Sequence, residues 1–149
     1  MPLLQASSST GADAAWTNSV EGLRQIPTTT ANAITAATVL TTADSGGTFS
    51  VSQAAAYAIT LPTPVSTEGL VFTFYLTGAA ANAVTIAPAA GSFVGTIVND
   101  VTSVIPATGS TLTFVSGTAA LGDNIEVRSI GNLYLVRAVT SAAGGITIS

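Results

Sequence analysis

The chain has 149 residues, three of them Lys or Arg and seven Asp or Glu, with no His, no Cys and a formal net charge of -4. Without Cys or His, thiol chemistry, a disulfide framework, an imidazole base and zinc or haem sites of the usual kinds are excluded. All three basic residues are arginines, which excludes lysine chemistry and leaves too little positive charge for the stripe that nucleic acid or an anionic membrane requires.

Residues 1–37 differ in texture from the rest and predict either an extended arm or one short helix. They hold a polar run, Ser7-Ser8-Ser9-Thr10-Gly11, then a mixed segment from Trp16 to Ile26 and a Pro27-Thr28-Thr29-Thr30 stop. Val20, Leu23 and Ile26 recur at helical spacing, with Asn18 or Ser19 as N-cap and Pro27 as terminator. Trp16 sits among small and polar residues, with little local core to join.

Residues 38–149 read as β throughout and fit one domain. Short runs rich in β-branched residues fall at 39–42, 48–51, 57–61, 71–77, 83–87, 94–98, 111–115, 125–130, 133–139 and 146–148. Turn signals separate them: Gly46-Gly47, Pro62-Thr63-Pro64, Gly78, Pro88 with Gly91, Pro106 with Gly109, Gly117, Gly122-Asp123 and Gly131-Asn132. Many short strands at this spacing predict an all-β domain, an antiparallel β-sandwich of jelly-roll-like type behind an extended N-terminal arm. Period-2 alternation assigns Tyr57/Ile59/Leu61, Phe72/Phe74/Leu76, Val84/Ile86, Leu112/Phe114, Ile125/Val127 and Ile146/Ile148 to the inner faces.

One hairpin can be read in register. Gly131-Asn132 makes a two-residue loop with glycine first, the demand of a type II′ turn. Pairing outward sets Ser129 against Tyr134, Arg128 against Leu135, Val127 against Val136 and Glu126 against Arg137. The last is a cross-strand ion pair, which fixes register more than it stabilises. Ile130, Leu133 and Leu135 follow on the same face. An outer face that apolar predicts cover by the arm or by a second subunit, so these three are the candidate subunit interface.

The uncharged stretch 69–99 is long enough to span a bilayer, but Gly78, Asn82, Pro88 and Gly91 interrupt it, and threonines alternate with its apolar residues. No basic segment precedes an apolar one in residues 1–10, so neither a membrane span nor a secretory signal is expected.

Catalysis would have to rest on Asp13, Glu21, Asp44, Glu68, Asp100, Asp123 and Glu126, or on hydroxyls. A glycosidase needs two facing carboxyl groups and a calcium site several converging ones. Asp44 and Asp123 stand beside glycines, where an aspartate bonds its own turn, and no loop carries a calcium-loop spacing. Gly46-Gly47 and Gly144-Gly145 open no helix and precede no basic residue, so they read as turns rather than phosphate cradles. Tyr57, Tyr75 and Tyr134 read as packed rings. The expectation is no enzyme, no cofactor and no metal.

Charged residues make up 7% of the chain, against roughly 25% in average soluble domains. Thr, Ser, Asn and Ala must therefore cover most of the exterior, and no lysine guards the sheet edges. Such a surface suits permanent contacts and makes binding insensitive to salt. The order of motifs is also familiar: Leu40-Thr41-Thr42-Ala43-Asp44-Ser45-Gly46-Gly47-Thr48-Phe49, Ile59-Thr60-Leu61-Pro62, Gly69-Leu70-Val71-Phe72-Thr73-Phe74, Thr111-Leu112-Thr113-Phe114-Val115, Gly122-Asp123-Asn124-Ile125-Glu126-Val127, Asn132-Leu133-Tyr134-Leu135-Val136 and Gly144-Gly145-Ile146-Thr147. In these residues the chain resembles the capsid decoration (cement) proteins of tailed phages, over about residues 39–149. A similar module occurs in larger phage fibre proteins.

The resemblance implies a β-sandwich bound to the outside of an icosahedral virion, often as a homotrimer, that stabilises the shell by bridging neighbouring capsomers. The implied partner is the major capsid protein, with no nucleic acid and no membrane. On this reading Pro2, Leu3, Leu4, Trp16, Leu23 and Ile26 contact the shell; Trp16 and its neighbours packing on their own sandwich is the alternative. The other functional expectation is a fibre or adhesin domain that binds a host surface glycan or protein.

Overall fold

The computed structural model describes residues 32–64, 69–78, 81–99 and 103–149. Among them are twelve strands: β1 (Asn32–Ile34), β2 (Thr38–Val39), β3 (Thr48–Val51), β4 (Tyr57–Leu61), β5 (Val71–Leu76), β6 (Val84–Pro88), β7 (Ser92–Asn99), β8 (Ser103–Gly109), β9 (Leu112–Phe114), β10 (Asn124–Ile130), β11 (Leu133–Thr140) and β12 (Ile146–Ile148). They form a seven-stranded sheet in the order β1-β3-β5-β10-β11-β7-β8 and a five-stranded sheet in the order β12-β9-β6-β4-β2. The domain is all-β, two sheets packed as a sandwich.

Both sheets are mixed, where an antiparallel, jelly-roll-like arrangement was expected. The pairs β1/β3, β3/β5, β2/β4, β4/β6 and β7/β11 are parallel; β5/β10, β10/β11, β7/β8, β6/β9 and β9/β12 are antiparallel. The reason lies in the path of the chain. From β1 to β6 it alternates between the sheets, odd strands in the larger and even strands in the smaller. Each strand thus returns to its own sheet by way of a strand in the other, which supplies the long crossover that parallel pairing needs. The antiparallel hairpins β7/β8 and β10/β11 come only in the second half.

The inner faces are those the alternation assigns. Ile59, Leu61, Phe72, Phe74, Val84, Ile86, Leu112, Phe114, Ile125 and Val127 are fully buried, and Leu76 and Ile146 nearly so. Tyr57 and Ile148 are partly buried against this core. Aromatic rings run through its centre: Phe49 stacks on Phe74 with centroids 5.5 Å apart, and Phe72 meets the edge of Tyr134 at 6.4 Å. Phe93 adjoins Tyr134 at 5.9 Å. The Tyr134 hydroxyl donates to the Pro62 carbonyl at 2.9 Å, so a tyrosine on the larger sheet is tied to the end of a strand in the smaller one.

Three strand assignments change. Residues 32–34, grouped by composition with the arm, pair with β3, and Ile34 is buried. The sandwich therefore begins before residue 38. The run at 39–42 narrows to Thr38–Val39, because Thr42–Asp44 forms a 3-10 turn. Asp44 Oδ2 accepts from the Thr41 N–H at 2.7 Å and from its hydroxyl at 2.8 Å, which draws the chain out of the strand. Finally, Pro106, read as a turn, lies inside β8 opposite Thr96. Strand β8 is the last strand of its sheet, where an N–H on the side away from the ladder can be missing without loss of a ladder bond.

Candidate interaction surface

The hairpin is built as its sequence predicts. Ser129 pairs with Tyr134, Arg128 with Leu135, Val127 with Val136 and Glu126 with Arg137. Gly131 has φ +60°, and no residue other than glycine has positive φ among those described. A type I′ turn would need Asn132 positive as well, so the turn is the II′ form. Inner residues Ile125, Val127, Tyr134 and Ala138 are fully buried. Alternation then turns Glu126, Arg128, Ile130, Leu133, Leu135, Arg137 and Val139 outward.

Because β10 and β11 lie at the centre of the larger sheet, this outward face extends sideways in rows. Ile130 pairs with Leu133, which pairs with Ser92; Val71, Arg128, Leu135 and Val94 make the next row. Beyond come Thr73, Glu126, Arg137 and Thr96, then Tyr75, Asn124, Val139 and Val98. Ile130 is 50% exposed, Leu135 43%, Val139 41% and Tyr75 41%, and Leu133 is half-buried. The three residues expected at an interface thus do share one exposed patch. Val139, two residues beyond Arg137, was legible by the same alternation. Val71 and Val94 were not, since nothing in the hairpin reveals which strands flank it.

Glu126 and Arg137 stand opposite each other, yet their side chains close no ion pair, so the expected cross-strand salt bridge is absent. Both groups are left exposed beside Tyr75 and Asn124. Tyr75 also departs from the packed-ring reading, whereas Tyr134 fits it. The Tyr57 hydroxyl donates to the carbonyl oxygens of Ile34 at 2.6 Å and Ser52 at 2.7 Å, sharing one proton. Burial raises the Tyr57 pKa from its ordinary 10.0.

A second exposed feature lies at one end of the sandwich. Leu121 is 73% exposed and borders two open depressions. One, of about 640 Å³, is lined by Thr77, Gly78, Ala81 and Ala119; the other, of about 530 Å³, by Val98, Asp123, Val139 and Ser141. The Asp123 carboxylate is buried there and fully engaged. Its Oδ2 accepts from the Ala120 N–H at 3.0 Å and the Thr140 hydroxyl at 2.9 Å. Its Oδ1 accepts from the Ser141 N–H at 2.8 Å and the Ser141 hydroxyl at 2.9 Å. Asp123 locks two loops together, a larger duty than shaping its own turn.

Pro2, Leu3, Leu4, Trp16, Leu23 and Ile26 lie outside the described residues, as do Asp13, Glu21, Glu68 and Asp100. Among the described residues no three carboxylates gather where they could hold a metal ion. No helix among them is long and apolar enough to cross a membrane. Comparison with family models, curated proteins and solved structures found no match.

Proposed function

We propose that this chain is a structural, non-enzymatic protein of a virion, which docks as a homotrimer on the exterior of an assembled icosahedral capsid and bridges its capsomers. The observation that supports this reading is the patch of Ile130, Leu133, Leu135, Val71 and Val94, with Arg128 as the one charge among them, on the outward face of the larger sheet. That patch is rigid, because it rests on central strands, and it is poorly suited to water. On a chain with 7% charged residues, it suits lasting burial against a second subunit. Trimers multiply weak shell contacts, since one bound subunit holds the others at high effective concentration. The major capsid protein is the partner this reading requires.

Purified capsids lacking the protein provide the test. Full-length chain is expected to co-sediment with assembled capsids and to stay soluble beside unassembled shell protein, with retention unchanged between low and high salt. Electron microscopy of decorated and bare particles then locates the added density. Leu135→Asp is expected to weaken both self-association and capsid retention. A chain that ignores capsids, or that binds intact host cells instead, overturns the proposal.

A further inference from the structure

The other end of the outward face has a different character. Thr73, Glu126 and Arg137 form one row across β5, β10 and β11, and Tyr75, Asn124 and Val139 form the next. These six side chains line a shallow depression of about 210 Å³. Pockets for drug-sized ligands run to roughly 300–1,000 Å³, so this one has room for a single ring. Neighbouring strands are about 4.8 Å apart and alternate residues about 7 Å, which makes the block roughly 10 Å by 7 Å.

We propose that this block binds one neutral hexopyranose ring of a glycan. A pyranose presents an apolar C–H face and a rim of hydroxyls, each of which both donates and accepts. Tyr75 and Val139, each 41% exposed, supply apolar surface for the C–H face. Glu126 accepts from hydroxyls, Arg137 donates to them, and Thr73 does both. The Asn124 amide nitrogen is tied to the Gly122 carbonyl at 3.3 Å, which orients the amide and leaves its oxygen to accept. Glu126 and Arg137 do not satisfy each other, so their hydrogen-bonding capacity is open to a ligand. Their opposite charges cancel within the block, which selects a neutral sugar over an anionic one. All six residues stand on adjacent strands of the larger sheet, so their backbone positions are fixed before the ligand arrives.

This site does not depend on the capsid-binding reading. Leu135, the apolar residue nearest the block, lies two residues along β11 from Arg137, roughly 7 Å at strand rise, so the apolar patch and the sugar block are adjoining rows of one face. On a particle, many copies would convert weak single-site binding into firm attachment.

The experiment follows backbone amide shifts of the isotope-labelled full chain. Its probes are the methyl glycosides of glucose, galactose and mannose, with N-acetylneuraminic acid as the anionic sugar. At least one neutral glycoside is expected to move the amides of Thr73, Tyr75, Asn124, Glu126 and Arg137, with a Kd of about 1–10 mM. Tyr75→Ala and Arg137→Gln are each expected to weaken it about tenfold or more, with the remaining amides unchanged as the control for folding. No shifts with any neutral sugar, shifts with the anionic sugar alone, or binding that survives both substitutions overturns the assignment.

Discussion

Asp123 carries the densest set of polar contacts at one end of the sandwich. Its carboxylate is 2% exposed and accepts bonds from Ala120, Thr140 and Ser141. Gly145 packs so near that an added Cβ would overlap the Thr140 hydroxyl, which leaves no room for a larger residue beside this cluster. Asp123→Ala leaves the part-buried N–H groups of Ala120 and Ser141 without their acceptor, and an unsatisfied donor costs about 1–3 kcal/mol when it is fully buried and less where water reaches it. A loss of about 2–4 kcal/mol in urea unfolding is therefore expected, with Asp123→Asn losing less because its carbonyl still accepts. Tyr57 makes a pH prediction at the same scale. Its folded pKa is raised above 10.0, so the unfolded chain gives up the phenolic proton first. The stability contributed by Tyr57 is complete below pH 10.0 and is lost as pH rises from there through the folded pKa. Tyr57→Phe is expected to flatten that alkaline decline in melting temperature measured against pH, while lowering stability at neutral pH.

The β10–β11 hairpin is the element most legible in the sequence. Its turn and its register both follow from local chemistry, a glycine that tolerates φ +60° and side chains that alternate in and out. A residue with a Cβ at Gly131 pays a left-handed penalty of about 1–2 kcal/mol. Gly131→Ala is accordingly expected to lower stability by about 1 kcal/mol, read by denaturant midpoint, without moving the Glu126–Arg137 register. Other elements were legible only in part. Strand β1, Asn32-Ala33-Ile34, carries a single large apolar residue and so displays no alternation. The 39–42 run looks like a strand until the Asp44 carboxylate captures Thr41. Pro106 marks a turn in most settings, and only its place on an edge strand makes it harmless in β8. The Glu126–Arg137 salt bridge is absent for a related reason. Register sets which residues face each other, while exposed side chains choose their own rotamers.

At the scale of the molecule, the chain spends its first half winding between two sheets and its second half closing them with hairpins. The two layers share one continuous core, so stability belongs to the sandwich as a unit. Residues 31–149 form a compact unit of their own. Deleting residues 1–26 is therefore expected to leave the thermal unfolding of the sandwich in place while abolishing capsid retention in the sedimentation assay. Retained occupancy would assign the shell contact to the sandwich instead of to Trp16, Leu23, Ile26 and the residues before them.

Most strand positions, the inner faces and the β10–β11 hairpin were determined by the sequence alone, because each depends on neighbours a few residues apart. The alternation of Phe72 and Phe74 with Val71, Thr73 and Tyr75 already separates core from surface. Tertiary structure alone decided that β5 flanks β10 and β7 flanks β11, and that half the pairings run parallel. Backbone hydrogen bonds are the same for every strand and carry no address. The choice of partner comes from how all the inner faces fit together at once, and that choice assembled both the apolar patch around Leu135 and the polar block around Tyr75.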